Sequence, residues 1–133
     1  MAIGVQIVID CADPAALARF WAAALDYEEQ RPPAGFDNWE DALRSWGVPE
    51  SEFNSAGAVV DPAGVGPRIY LQRVPEGKTV KNRVHFDLIT ADFDRELDRL
   101  VRLGATKLHE IDAGAHWVTL ADPEGNEFDL IKG

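Results

Sequence analysis

The sequence repeats itself, and the repeat restricts the available folds more than any single motif does. Gly4, Val5, Gln6, Ile7, Val8 and Ile9 superpose on Arg83, Val84, His85, Phe86, Asp87 and Leu88 at an offset of 79 residues. Both segments alternate with period two, the pattern of a half-buried strand. Val5, Ile7 and Ile9 match Val84, Phe86 and Leu88 on one face, which places Gln6 and His85 at equivalent positions on the other. At the same offset Asp13 falls on Asp92, and each is expected to cap a helix. The first helix opens on Pro14 and carries Leu17, Phe20, Trp21, Ala24 and Leu25. The second carries Phe93, Leu97, Leu100, Val101 and Leu103, and Gly104 stands at its end.

A second correspondence, at an offset of 61, links Asp61-Pro62-Ala63-Gly64 to Asp122-Pro123-Glu124-Gly125. Each reads as a hairpin corner, and each leads into an alternating strand, Arg68 to Gln72 and Glu127 to Ile131. The chain therefore reads as α+β, two βαβββ modules forming a curled mixed sheet with helices on its outer face. Within a single domain of residues 1–133, the first module covers 1–76 and the second 80–133. The fall from 79 to 61 marks an inserted helical segment at about residues 30–56. There Asp37 and Glu40 resemble a capping box, Trp39, Leu43 and Trp46 form a stripe, and Gly47 stops the helix. This segment either packs on the domain edge or roofs a ligand site with Phe36, Trp39 and Trp46.

Charge removes several function classes. Thirteen Lys and Arg against 23 Asp and Glu give a net charge of −10, which opposes binding to nucleic acid and to anionic lipid. The apolar start is broken by Gly4 and Gln6 and lacks a basic flank, so neither a membrane span nor a signal peptide is expected. The single cysteine, Cys11, reads as a packing residue and suits a cytoplasmic setting. No phosphate-binding loop, HExxH, CxxC or GxSxG pattern is present. His109 reads as a surface residue.

Alternation sends the apolar positions under the helices and leaves Gln6, Asp10, Tyr70, Gln72, Arg83, His85, Asp87, Glu127 and Asp129 on one polar, concave surface. The penultimate strand adds Trp117 and Thr119 to that surface and turns Val118 and Leu120 inward, with His116 in the core or at the strand end. An imidazole, carboxylates and amide oxygens can coordinate a divalent metal, or they can simply hydrogen-bond in a half-solvated sheet.

Two such modules, the start Gln6-x-x-x-Asp10-x-x-Asp13, the runs Tyr70 to Lys78 and Lys81 to Asp87, and the end Asp122 to Phe128 together resemble the vicinal oxygen chelate superfamily. The nearest likeness is to its bacterial glyoxalase-like branch. The resemblance implies a metal held by Gln6, Gln72, His85 and Asp129, the metal being zinc, nickel, manganese or iron(II). Gln72 stands where a carboxylate is usual and Asp129 where Glu is usual, so this set carries a single formal charge and implies weaker affinity.

The resemblance further implies lyase or isomerase chemistry on a small molecule with adjacent oxygens. Asp129 or Glu127 would act as base, and Trp117, Thr119, Tyr70, Arg83, Asp87, Trp39 and Trp46 would bind the substrate. The bleomycin-resistance members imply an alternative, a metal-free protein that sequesters a small molecule. A homodimer is expected, with modules paired either within one chain or between chains.

Overall fold

A computed structural model describes all 133 residues, which divide into two compact units, Met1–Pro75 and Glu76–Gly133. The first contains β1 (Ile7–Cys11), α1 (Pro14–Leu25), β2 (Glu28–Glu29), α2 (Trp39–Ser45), a 3-10 turn at Glu50–Glu52, β3 (Ala56–Val60) and β4 (Ile69–Arg73). The second contains β5 (Asp87–Thr90), α3 (Phe93–Leu103), β6 (Thr106–Ala113), β7 (Ala115–Ala121) and β8 (Glu127–Lys132). Their four-stranded sheets run β1-β4-β3-β2 and β5-β8-β7-β6. In each, the first strand lies parallel to the last and the other neighbours are antiparallel, so the two units share one topology. No helix is long and apolar enough to cross a membrane.

Each helix claims one face of its sheet. Leu17, Phe20 and Trp21 of α1 are buried with Val59, Ile69 and Leu71 of β3 and β4, and Phe20 meets Trp21 edge to face at 5.1 Å. In the second unit the core is Phe93 and Leu100 of α3 with Val118, Leu120, Phe128 and Leu130. Cys11 is buried at the end of β1, its thiol 3.5 Å from the Gln72 carbonyl oxygen, as a packing role requires. His116 belongs to the helix side, with its ring centroid 4.0 Å from that of Phe93.

The two corners share two hydrogen bonds. Asp61 Oδ1 accepts from the Ala63 amide and Asp122 Oδ1 from the Glu124 amide, while the Asp carbonyls accept from Gly64 and Gly125. Both glycines have positive φ, 71° and 89°, which closes each turn. The Ala63, Val65 and Gly66 amides also hold the Asp61 carboxyl below its ordinary range, the Gly66 amide most strongly.

Three local expectations are corrected. The first strand of each unit begins late, leaving Val5 and Val84 exposed and Gln6, Arg83 and His85 ahead of the strands. Pro67 has no N–H with which to extend the ladder beside β1. Before β5 the Asn82 amide is taken by Glu127 Oε2 at 3.0 Å rather than by a strand. The cap of α2 is Asn38, one residue beyond the expected Asp37: its Oδ1 accepts from the Asp41 amide at 2.8 Å and its Nδ2 donates to Asp41 Oδ2 at 3.2 Å. Asp92 occupies the cap position of α3 without a side-chain cap bond, and its carboxylate lies 3.7 Å from Arg95 instead.

Because Leu71 is fully buried and Val84 is 82% exposed, Leu71→Ala should cost about 2–5 kcal/mol in urea unfolding. Val84→Ala should stay within about 0.5 kcal/mol.

Candidate functional site

The face of the second sheet turned away from α3 carries a polar row. Parallel pairing sets Asp87 directly opposite Asp129, and antiparallel pairing sets Asp129 opposite Thr119 and Thr119 opposite His109. His85 joins them from just before β5, where the Phe86 carbonyl accepts from the Asp129 amide at 2.9 Å and holds the two segments together. His85 Nε2 lies 3.3 Å from Asp87 Oδ1 and 3.4 Å from Asp129 Oδ2. One ligand atom from each of His85, Asp87 and Asp129 falls within 4.8 Å of the others.

Asp129 is the positioned member of this group. Its Oδ1 accepts from the Thr119 hydroxyl at 2.6 Å, which leaves Oδ2 for the imidazole side. Thr119 is buried, and its oxygen lies 3.2 Å from His109 Nε2. Thr119 thus acts on Asp129. His109, expected as a plain surface residue, is exposed but ends the row. Alternation alone misplaces it, because an irregularity between Lys107 and His109 shifts the β6 register. Beside the row, cross-strand neighbours Ile111, Trp117 and Ile131 make an apolar strip on the same face. Arg83 is exposed ahead of β5.

Glu127 is placed otherwise. Its carboxylate accepts from the Asn82 amide at 3.0 Å and pairs with Lys78 at 2.9 Å. Those contacts, the Asn82 amide foremost, hold it at about 2. A carboxylate so strongly acidified and so fully engaged is a poor proton acceptor.

The remaining candidates lie in the first unit. Gln6 Oε1 accepts from Arg68 Nη1 at 2.8 Å, and Gln72 Nε2 donates to Asp10 Oδ1 at 2.7 Å. Tyr70 and Trp39 line a pocket of about 460 Å³, together with Leu43, Phe53, Ala56 and Ala58. Residues of the inserted segment thus line this pocket. Trp46 sits outside it, more than half exposed, with its ring centroid 6.2 Å from that of Phe36.

The donor set of the second unit suits a divalent cation. One imidazole nitrogen and two carboxylates offset two positive charges, and two carboxylates in facing positions repel without one. Asp87, expected among the substrate-binding residues, lies opposite Asp129, which makes it a third potential ligand.

A family model described as a glyoxalase-like domain matches residues 6–131. Comparison with curated proteins gives no significant match. Among solved structures, a fosfomycin resistance protein, FosX, from Mesorhizobium loti is 15% identical with a TM-score of 0.66, over 100% of this chain and 94% of that one. A member of the glyoxalase/bleomycin resistance protein/dioxygenase superfamily from Sphaerobacter thermophilus is 19% identical, with a TM-score of 0.64, over 100% and 98%. A mutant of FosX from Listeria monocytogenes, complexed with Mn(II) and dihydroxypropylphosphonic acid, is 13% identical, with a TM-score of 0.66, over 98% and 90%. At these identities the likeness is one of fold.

The depressed Glu127 carboxyl gives a pH signature. A carboxylate with a folded value of about 2, against an ordinary 4.5, contributes stability that is present above 4.5 and lost as pH falls toward 2. Glu127→Gln should therefore be less stable than the parent at neutral pH. The gap should close between those two values, as read by urea unfolding across the range.

Proposed function

The chain belongs to the glyoxalase-like domain family, and on that premise we propose that its second unit holds a divalent cation with which the protein acts on a small molecule bearing two adjacent oxygens. The observation that carries this reading is the convergence of His85, Asp87 and Asp129 within 4.8 Å. Fold neighbours that include a Mn(II) complex support it.

When bound, the cation supplies Lewis acidity toward those oxygens. The protein's own groups do the rest. His85, Asp87 and Asp129 would hold the cation, and the Thr119 hydroxyl fixes the Asp129 carboxylate through Oδ1. Asp129 is the candidate proton acceptor for a lyase or isomerase step when its Oδ2 is not ligating the cation, since neither a backbone amide nor a lysine holds that oxygen as they hold those of Glu127. Trp117 and its strip of neighbours would shield the substrate from water on one side. Of Gln6 and Gln72, the amides added by the resemblance, Gln6 has its carbonyl oxygen engaged by Arg68, whereas Gln72 is held to Asp10 through Nε2, a bond that does not use its Oε1.

The pocket of the first unit favours a second reading, in which the protein binds a small molecule without metal, as the bleomycin-resistance members imply. Cation uptake separates the two. Dialysed protein should take up one equivalent of manganese, zinc, nickel or iron(II) by calorimetry, and His85→Ala should abolish uptake. Thr119→Val, which keeps the shape and removes the donor, should weaken affinity about 10–100-fold. Failure of all four cations to bind in the millimolar range would overturn the first reading and leave the second.

We also propose that the protein works as a homodimer. The support is the apolar surface each unit leaves open, with Val8 49% exposed in the first and Ile89 71% in the second. Sedimentation should give twice the 14.6 kDa chain mass at micromolar concentration. A monomer would refute this.

A further inference from the structure

Arg68 brings to the pocket of the first unit a charge that no carboxylate answers. Its Nε donates to Gln30 Oε1 and its Nη1 to Gln6 Oε1, both at 2.8 Å, and the guanidinium carbon lies 5.4 Å from the Tyr70 ring centroid. Both acceptors are neutral amides, and Arg68 enters none of the ion pairs of the structure. The residue is half-buried. Two of the acids lining the pocket are committed elsewhere, Glu52 to Arg73 at 2.9 Å and Glu40 to Arg44 at 3.8 Å. The third, Glu29, is exposed.

A cation partly removed from water and oriented by neutral acceptors is left in want of a counter-charge. A guanidinium with unused N–H donors meets a carboxylate with charge-assisted bonds in a planar, directional geometry. The surroundings specify the rest of such a ligand. The cavity, about 460 Å³, is walled by Trp39, Leu43, Phe53, Ala56, Ala58 and Tyr70. Gln30 ties wall to cation: its amide donates to Ala58, its carbonyl accepts from the Trp39 indole at 2.8 Å, and its side chain accepts from Arg68. The indole and the guanidinium are therefore positioned before any ligand arrives.

We propose that this pocket binds a small monocarboxylate with an aromatic or branched apolar body, its carboxylate on Arg68 and its body against Trp39, Leu43 and Phe53. The exposed Glu29 and the net charge of −10 select against ligands with further negative groups. The proposal rests on the metal-free reading of this pocket and gives it a ligand class; because binding here requires no cation, it fails or succeeds separately from the metal-assisted reading.

The test uses the full chain in excess EDTA, titrated with phenylpropionate, phenylpropionamide and phenylpropylamine, and followed by tryptophan fluorescence and calorimetry. The acid should bind at least about tenfold more tightly than the amide, as loss of one charged hydrogen bond implies. The amine should bind least. Arg68→Met should erase the preference for acid over amide, and Arg68→Lys should retain part of it, with circular dichroism checking the fold of both. The comparison of acid with amide on the unaltered protein decides the matter even where Arg68→Met does not fold. Equal affinity for acid and amide, tighter binding of the amine, no binding of the acid in the millimolar range, or a preference that survives in Arg68→Met would each overturn the proposal.

Discussion

In each unit the first strand lies parallel to the last, and this pairing determines what the other side chains can do. Neighbouring parallel strands cannot be joined by a tight turn, and here a helix begins the connection and packs on one face of the sheet. That face takes every second residue, Ile9 with Leu71 in one unit and Leu88 with Leu130 in the other. The residues between them are left to the open face. In the second unit these are Asp87 and Asp129, set opposite each other by the same register that buries Leu130. Two facing carboxylates oppose the pairing unless something neutralises them. His85, held at the start of the strand, lies within 3.4 Å of both. This is the charge arrangement on which the proposed cation site rests.

Two acids on one strand show how local contacts divide roles. Glu127 and Asp129 stand two residues apart on the same side of β8, yet the first is bound by a lysine and a backbone amide and the second by a hydroxyl. The first set of partners stabilises charge so strongly that the carboxylate becomes part of the scaffold. The second orients Asp129 through one oxygen while the other points to His85. In the first unit an analogous division falls on a cation. Arg44 and Arg73 are paired with acids, whereas Arg68 is held by two amides and keeps its charge for something else.

The repeat, both major helices, the Asp-Pro-x-Gly corners and the βαβββ order were legible in the sequence because they depend on short-range periodicity and turn chemistry. His85 and Asp129 were also legible as a pair, through family resemblance. The rest of the site depends on register between distant strands, which alternation does not supply. Leu71 pairs with Ile9 as Leu130 pairs with Leu88, so Asp129 corresponds to Tyr70 and not to Gln72. The two halves are therefore alike in backbone and unlike in polar content. His109 was hidden by the irregular register before it, and Asp87 by the forty-two positions that separate it from its facing residue Asp129. The role of Arg68 needed the inserted segment in place, since Gln30 and Trp39 give it its setting.

Cation binding by His85, Asp87 and Asp129 on the open face of the second unit can be read by pulsed electron paramagnetic resonance of the manganese-loaded protein. Nitrogen hyperfine coupling from a single imidazole should be present in the parent and absent in His85→Ala. Bound manganese with no nitrogen coupling, or with a coupling unchanged in His85→Ala, would contradict it.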